Sequence, residues 1–373
     1  MTGARRLEAL IDRLATVGWL KSPEIRKALH AVPRQMFVPP VALVSPLGED
    51  YLIDEGRDPA AWLDAAYSDD PIVTQIEDGA VPLEGGKGDF TSSCSAPSTV
   101  VALLELLQAE RGHRVLEIGT GTGWTAGLLC ELVGEKYVTS VEIDPQVADR
   151  AARNLREAGR SPRLVVGDGV KGSPEGAPYD RVHVTCGVRE VPYAWVEQTR
   201  PGGVAVLPYS PGFGYSHELR LVVMPDGTAL GRFPGHASYM MLRSQRKPDL
   251  DFGDAEASRS VTRTDPRTIG YASPGADLAM SAALGDVFSQ GHEEDGVYTL
   301  WLWSPSGSWA TAIHRPDQQE YEIRQAGDRR LWEETETAYF RWVTRGEPGR
   351  DRFGMTVTPA GQRIWLDSPD NLI

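Results

Sequence analysis

The sequence predicts an α/β protein built on a mostly parallel β-sheet. Three observations carry this: strand and helix patterns alternate over residues 114–209, a glycine-rich turn directly follows the first of those strands, and no internal repeat occurs at solenoid or propeller spacing. Residues 114–119 read as a strand, 124–134 as a helix and 137–144 as the next strand. An amphipathic helix starting at Pro145 follows, then strands over 163–168 and 179–187. Residues 191–200 read as a helix stopped by Pro201, Gly202 and Gly203, and 203–209 as a fifth strand. Residues 219–233 resemble a hairpin turning at Asp226-Gly227.

The flanks read differently. Leu7, Leu10, Ile11, Leu14 and Val17 recur at helical spacing, and Ser22 caps a second helix with Pro23 at its first position. That helix ends near His30, because Pro33, Pro39 and Pro40 cannot continue it. Residues 45–95 read as loop-rich, most irregularly over 77–90. The polar stretch 243–268 reads as a linker. Beyond it come a hairpin through Ser304–Gly307, a helix presenting Leu331, Thr335, Ala338, Tyr339 and Trp342 on one face, and a hairpin through Pro359–Gly361. The expected organisation is an N-terminal helical and loop region over 1–89, a cofactor domain over 90–246 and an α+β extension over 247–373.

The chain has 373 residues, with 38 Lys and Arg against 52 Asp and Glu, a formal charge of −14. That balance argues against general binding to nucleic acid or to an anionic membrane surface. Cys94, Cys130 and Cys186 are scattered, which suits neither a disulfide framework nor a CxxC site. No run approaches the ~20 apolar residues that span a bilayer, and the N-terminus lacks a secretory pattern. A cytoplasmic, reduced protein is the expectation. The histidines show no ligand spacing, so no metal is assigned.

The most informative segment is Glu117-Ile118-Gly119-Thr120-Gly121-Thr122-Gly123. Glycines after a buried strand let the chain turn sharply and let a ligand lie on bare backbone, with a helix N-terminus aimed at it. A dinucleotide fingerprint would place a third glycine at 124, where Trp124 stands. Glu117 suits a cationic group and would repel a pyrophosphate, which favours S-adenosylmethionine with its ammonium and sulfonium. Glu142, ending the second strand, is placed to accept the ribose hydroxyls. Asp144 competes for that role but lies farther from the strand end. Asp168, after the third strand, is placed to accept from the adenine amino group. All would converge at the carboxyl ends of the strands.

Phe90 through Pro97, the glycine segment, Val165–Gly169, Pro178–Val184 and Thr199–Tyr209 resemble the protein-L-isoaspartate O-methyltransferase family. The resemblance runs over about residues 30–245 and implies a Rossmann-like class I methyltransferase fold. It puts Glu117, Gly119, Gly121, Gly123, Glu142 and Asp168 in the cofactor positions, with Thr120, Ile143 and Gly169 beside them. S-adenosyl-L-methionine would be the cofactor and S-adenosyl-L-homocysteine the product. Ser95, two residues before Pro97, matches the family's hydroxyl near the substrate carboxylate, although a helix N-cap would also explain it. Ser93 and Thr185 are further substrate-side candidates. Thr91 and Ser92 are as readily solvated loop residues, and Cys94 and Cys186 read as buried residues without a nearby base.

Two departures bear on the substrate: a longer interval before Ser95, and about 125 residues beyond the cofactor domain. A C-terminal extension of this kind resembles family members from ribosomal-peptide maturation systems (graspetide and lanthipeptide pathways). That resemblance implies methylation of an aspartate in a modified, macrocyclic precursor peptide, followed by closure to an aspartimide. The alternatives are repair of isoaspartyl proteins, a binding protein on the same fold, and a small-molecule O-methyltransferase. A carboxylate is ionised at pH 7, so its attack on a sulfonium methyl needs no strong general base. The protein must instead supply alignment and a dry pocket.

Overall fold

The computed structural model describes residues 2–250 and 256–373. The chain opens with α1 (Gly3–Val17) and α2 (Pro23–Ala31). Leu7, Leu10, Ile11 and Leu14 form the buried stripe of α1, and the Ser22 hydroxyl accepts from the Ile25 N–H to cap α2. Next come β1 (Val41–Val44), β2 (Tyr51–Asp54), α3 (Pro59–Ala66), β3 (Ile72–Ile76) and β4 (Phe90–Cys94). The strands form an antiparallel sheet ordered β2-β1-β3-β4. This corrects the loop-rich reading of residues 45–95. These strands are only four or five residues long, too short for an alternating pattern to stand out among the glycines and acids around them.

The central part contains α4 (Pro97–Leu107), β5 (Val115–Ile118), α5 (Trp124–Val133), β6 (Val138–Glu142), α6 (Pro145–Glu157), β7 (Arg163–Val166), β8 (Tyr179–Val184), α7 (Tyr193–Glu197) and β9 (Thr199–Tyr209). The parallel strands lie in the order β9-β8-β5-β6-β7. The chain winds from β5 outward through β6 and β7, then returns to the other side of β5 with β8, so a crevice opens at the carboxyl end of β5. The helix expected over 191–200 is five residues long. Thr199 already pairs with Tyr179 in the sheet, and Pro201 cannot extend a helix. The expected turn at Asp226-Gly227 is present between β10 (His217–Val223) and β11 (Ala229–Arg232), closed by a bond from the Gly227 N–H to the Met224 carbonyl.

The structure divides into two compact units. The first comprises residues 1–186, 192–207 and 220–229, and the second 187–191, 208–219 and 230–373. Within the second lie β12 (Ser258–Thr262), α8 (Pro266–Gly270), α9 (Pro274–Leu284), β13 (Phe288–Glu294), β14 (Val297–Trp303), β15 (Trp309–His314), β16 (Tyr321–Ala326), α10 (Leu331–Thr344), β17 (Phe353–Thr358) and β18 (Gly361–Leu366). Five of these strands form an antiparallel sheet ordered β12-β16-β15-β14-β13. Phe288, Trp303, Trp309 and Ala326 form a buried cluster against it, and α10 buries Leu331, Trp332, Thr335, Ala338 and Trp342. Both expected hairpins form, β14 with β15 and β17 with β18. Of the expected linker, residues 251–255 lie outside the described residues. Its later part supplies edge strand β12 and helix α8, and the exposure of β12 explains why its composition is polar. Among the described residues, no helix is long and apolar enough to cross a membrane.

Arg34 ties the N-terminal part of the first unit together. Its side chain is buried, and its two terminal nitrogens donate to the carbonyls of Ala66, Ser68, Asp70, Cys94 and Ser95 at 2.8–3.2 Å. The guanidinium also lies over the Trp124 ring, 5.5 Å from its centre. Five carbonyl dipoles thus compensate a buried charge and fix the start of α4 against the end of α3. Arg34→Lys keeps the charge and loses the planar fork. We expect it to lower unfolding stability by about 3 kcal/mol in urea titrations, through carbonyls left unpaired; a loss under about 1 kcal/mol would show that these contacts are dispensable.

Candidate cofactor and substrate site

Gly119, Gly121 and Gly123 adopt φ values of +91°, +55° and +91°, a region open to glycine and strained for other residues. Space is also limiting at Gly119, where a Cβ would lie 2.6 Å from the Thr185 hydroxyl; one on Gly121 would make an ordinary 3.4 Å contact with the Ser93 carbonyl. The turn therefore passes between β8 and β4 with bare backbone. Thr185 donates its hydroxyl to the carbonyls of Ile118 and Gly119 and so braces this turn.

Glu142 holds the turn from the other side. Its carboxylate accepts from the Gly121 N–H at 2.9 Å and the Asp144 N–H at 3.0 Å. Burial pushes its pKa up, and the two backbone bonds pull it back down. Asp144 caps α6 by accepting from the N–H groups of Gln146 and Val147, and its other oxygen accepts from Gln75. Those bonds account for Asp144 as a structural cap. Ile143 is 38% exposed and Val166 is 56% exposed, giving two uncovered apolar side chains at the ends of β6 and β7. Asp168, half-buried after β7, accepts from the Val170 N–H. The Gly169 carbonyl is held by the indole N–H of the buried Trp195 at 2.8 Å.

Glu117 is fully buried. One carboxyl oxygen accepts from the Ser140 hydroxyl at 2.5 Å, and that hydroxyl is 2.6 Å from Thr120. The other oxygen has no hydrogen-bond partner among the described residues. Burial pushes its pKa up to about 8, the Ser140 bond opposes this, and Glu142 adds to it. At pH 7 the isolated site therefore favours a protonated Glu117. A cation brought to its unpartnered oxygen would favour ionisation. The sequence reading missed Ser140 and the linking role of Thr120, although a serine inside an otherwise apolar strand is a signal of this kind.

Among the residues expected on the substrate side, alternation along β4 separates the hydroxyls. Thr91 donates to Gln75, and Ser92 is buried against Thr74. Ser93 and Ser95 are half-buried, and neither hydroxyl makes a hydrogen bond among the described residues. Ser95 is not a helix cap. The residue before α4 is Ala96, and Asp69 accepts from the Ser98 N–H at 2.7 Å instead. Sequence reasoning also missed this contact of Asp69 at the start of α4. Burial pushes the Cys186 thiol up to about 12, with the Glu142 charge adding to the shift, so it is a thiol and not a thiolate nucleophile.

An orphaned buried carboxyl oxygen, a glycine cradle too tight for side chains and exposed apolar residues at the strand ends fit a cofactor with a cationic amino-acid end and a nucleoside end. The fold and this donor set define an S-adenosylmethionine-dependent methyltransferase. The family model for protein-L-isoaspartate(D-aspartate) O-methyltransferase matches residues 59–246. The protein-L-isoaspartate O-methyltransferase of Methanopyrus kandleri is 36% identical over 242 residues, covering 64% of this chain and 91% of that protein. That of Ignicoccus hospitalis is 34% identical, covering 58% of this chain and 88% of that protein. A solved structure described as a protein-L-isoaspartate O-methyltransferase shares the fold, with a TM-score of 0.55 and 23% identity, across 97% of this chain and all of that chain. The chain belongs to the protein-L-isoaspartate(D-aspartate) O-methyltransferase family and is a carboxyl O-methyltransferase of that type.

Two predictions follow from the site. Glu117→Gln removes the carboxylate but keeps the shape. We expect it to lower S-adenosylhomocysteine affinity at least about tenfold. Because the folded pKa of Glu117 is raised, its contribution to stability is lost as pH rises from the ordinary carboxyl range through about 8. The same variant should therefore raise the melting temperature of the cofactor-free protein at pH 8, and an unchanged or lower value would contradict this. Glu142→Ala and Asp168→Ala should each weaken cofactor binding by about tenfold in calorimetry. Glu142→Ala should also destabilise the cofactor-free protein more than Asp168→Ala does, since it leaves two N–H groups unpaired, those of Gly121 and Asp144, against the one of Val170.

Proposed function

We propose that this methyltransferase esterifies the free carboxylate of an isoaspartyl residue in a peptide or protein. The observation that carries the reading is family membership over residues 59–246. S-adenosylmethionine supplies a methyl group on a positively charged sulfur, a leaving group that needs no protonation. Glu117 would hold the ammonium of its amino-acid end, Glu142 the ribose hydroxyls, Asp168 the adenine amino group, and Ile143 would pack against the base. Ser95 and Ser93 would donate hydroxyls to the substrate carboxylate, aligning one oxygen with the methyl carbon. Thr185 would act through the turn it braces. A new O–C bond forms as the C–S bond breaks, with the electron pair going to sulfur. The three cysteines are free, which suits a reducing, cytoplasmic setting.

A second reading is favoured by residues 247–373, which lie outside the family model's match and build a sheet of their own. In this reading the target is an aspartate of a ribosomally made, modified precursor peptide. Methylation makes its acyl carbon more electrophile-like. The next backbone nitrogen then displaces methanol and closes an aspartimide.

Mass spectrometry decides between them. The purified protein is incubated with S-adenosylmethionine and either a linear isoaspartyl peptide or the cyclised precursor encoded nearest its gene. Methylation of the isoaspartyl peptide is expected. Methylation of the cyclised precursor alone, followed by methanol loss, would overturn the first reading in favour of the second. On whichever substrate is accepted, Ser95→Ala should lower kcat by about tenfold and leave cofactor affinity unchanged.

A further inference from the structure

His183 lies on β8 directly beside Glu117 on β5, and Ser140 lies beside Glu117 on β6. In a parallel sheet, register partners on neighbouring strands point to the same face and sit about 4.8 Å apart. The row His183–Glu117–Ser140 is therefore a line of three polar side chains across the apolar centre of the sheet. His183 is fully buried, and both its ring nitrogens lack a hydrogen-bond partner among the described residues. So does the second carboxyl oxygen of Glu117. Buried polar atoms without partners are costly, and here three of them are adjacent. The groups facing Glu117 are Ser140 and Glu142 from β6, His183 from β8 and Cys130 from α5. None is a permanent cation.

We propose that His183 is a positioning residue for the cofactor's ammonium group, its imidazole N–H holding the ionised Glu117 carboxylate in place when the cofactor binds. This rests on the cofactor reading of the site. Each carboxylate oxygen has two lone pairs, so one oxygen can accept from imidazole and ammonium together. The proton leaving Glu117 goes to bulk solvent. The imidazole stays neutral and donates through one ring nitrogen, in keeping with burial that pushes its pKa down to about 4.

The test is calorimetric binding of S-adenosylhomocysteine to the full chain between pH 6 and pH 9. His183→Val should weaken binding at pH 7 by about tenfold and move its rise with pH upward. His183→Gln, which restores an N–H, should recover most of the affinity. Wild-type affinity and pH profile in His183→Val would overturn the proposal. Should that variant fail to fold, the wild-type imidazole resonances are followed by NMR with and without S-adenosylhomocysteine. A shift on binding is expected, and unmoved resonances would overturn it. A wild-type protein that binds no S-adenosylhomocysteine would instead sink the cofactor reading itself.

Discussion

The constraint that organises this site is a buried carboxyl group with no cation among the described residues to balance it. Glu117 is fully buried and forms no ion pair among the described residues. Arg34 presents the opposite case, a buried guanidinium held by five carbonyls. The chain compensates Arg34 completely at its terminal nitrogens, and that residue is structural. It compensates Glu117 with a single hydroxyl and leaves one oxygen unused. Folding alone gains nothing from such an oxygen. A cationic ligand would gain from it, because the dry surroundings that raise the carboxyl's pKa also strengthen its attraction to a charge.

The remaining parts of the site depend on where that acid stands. The glycine turn begins two residues after Glu117, so its positive-φ backbone is anchored at the strand that carries the acid. Glu142 and Thr185 grip the turn from the flanking strands. On its other side β4 brings the Ser93 carbonyl to within 3.4 Å of where a Cβ on Gly121 would stand, and the positive φ of Gly121 is what favours glycine there. Arg34 then joins the end of β4 to the residues after α3, through Cys94 and Ser95 on one side and Ala66, Ser68 and Asp70 on the other.

Legibility in the sequence followed the range of the forces involved. The parallel sheet and its helices were readable because long apolar runs, proline starts and glycine stops are local signals. Glu117, the glycines, Glu142 and Asp168 stand at the ends of those strands and could be placed with them. The short strands β1 to β4 were not readable, since pairing partners decide such segments more than composition does. Ser140 and His183 escaped for a related reason. Each looks like an ordinary strand residue until the register sets it beside Glu117. The α10 face was legible from its spacing, and edge strand β12 was hidden by its exposure.

The chemistry of the transfer determines what a pH profile would report. A substrate carboxylate is already ionised at neutral pH, and the methyl group leaves a sulfur that accepts the electron pair without a proton. Neither reacting partner therefore titrates near pH 7. Cys186, held as a thiol, and His183, held neutral, contribute no charge change there either. Glu117 does titrate in that range, and its ionised form is the one a cationic cofactor requires. A rise of kcat/KM for cofactor between pH 6 and pH 8 would thus reflect cofactor capture, while kcat at saturating cofactor stays level. A base-catalysed reaction would behave in the opposite way, with the rise in kcat. The separation of the two parameters is the kinetic expression of an acid whose burial is balanced only by its ligand.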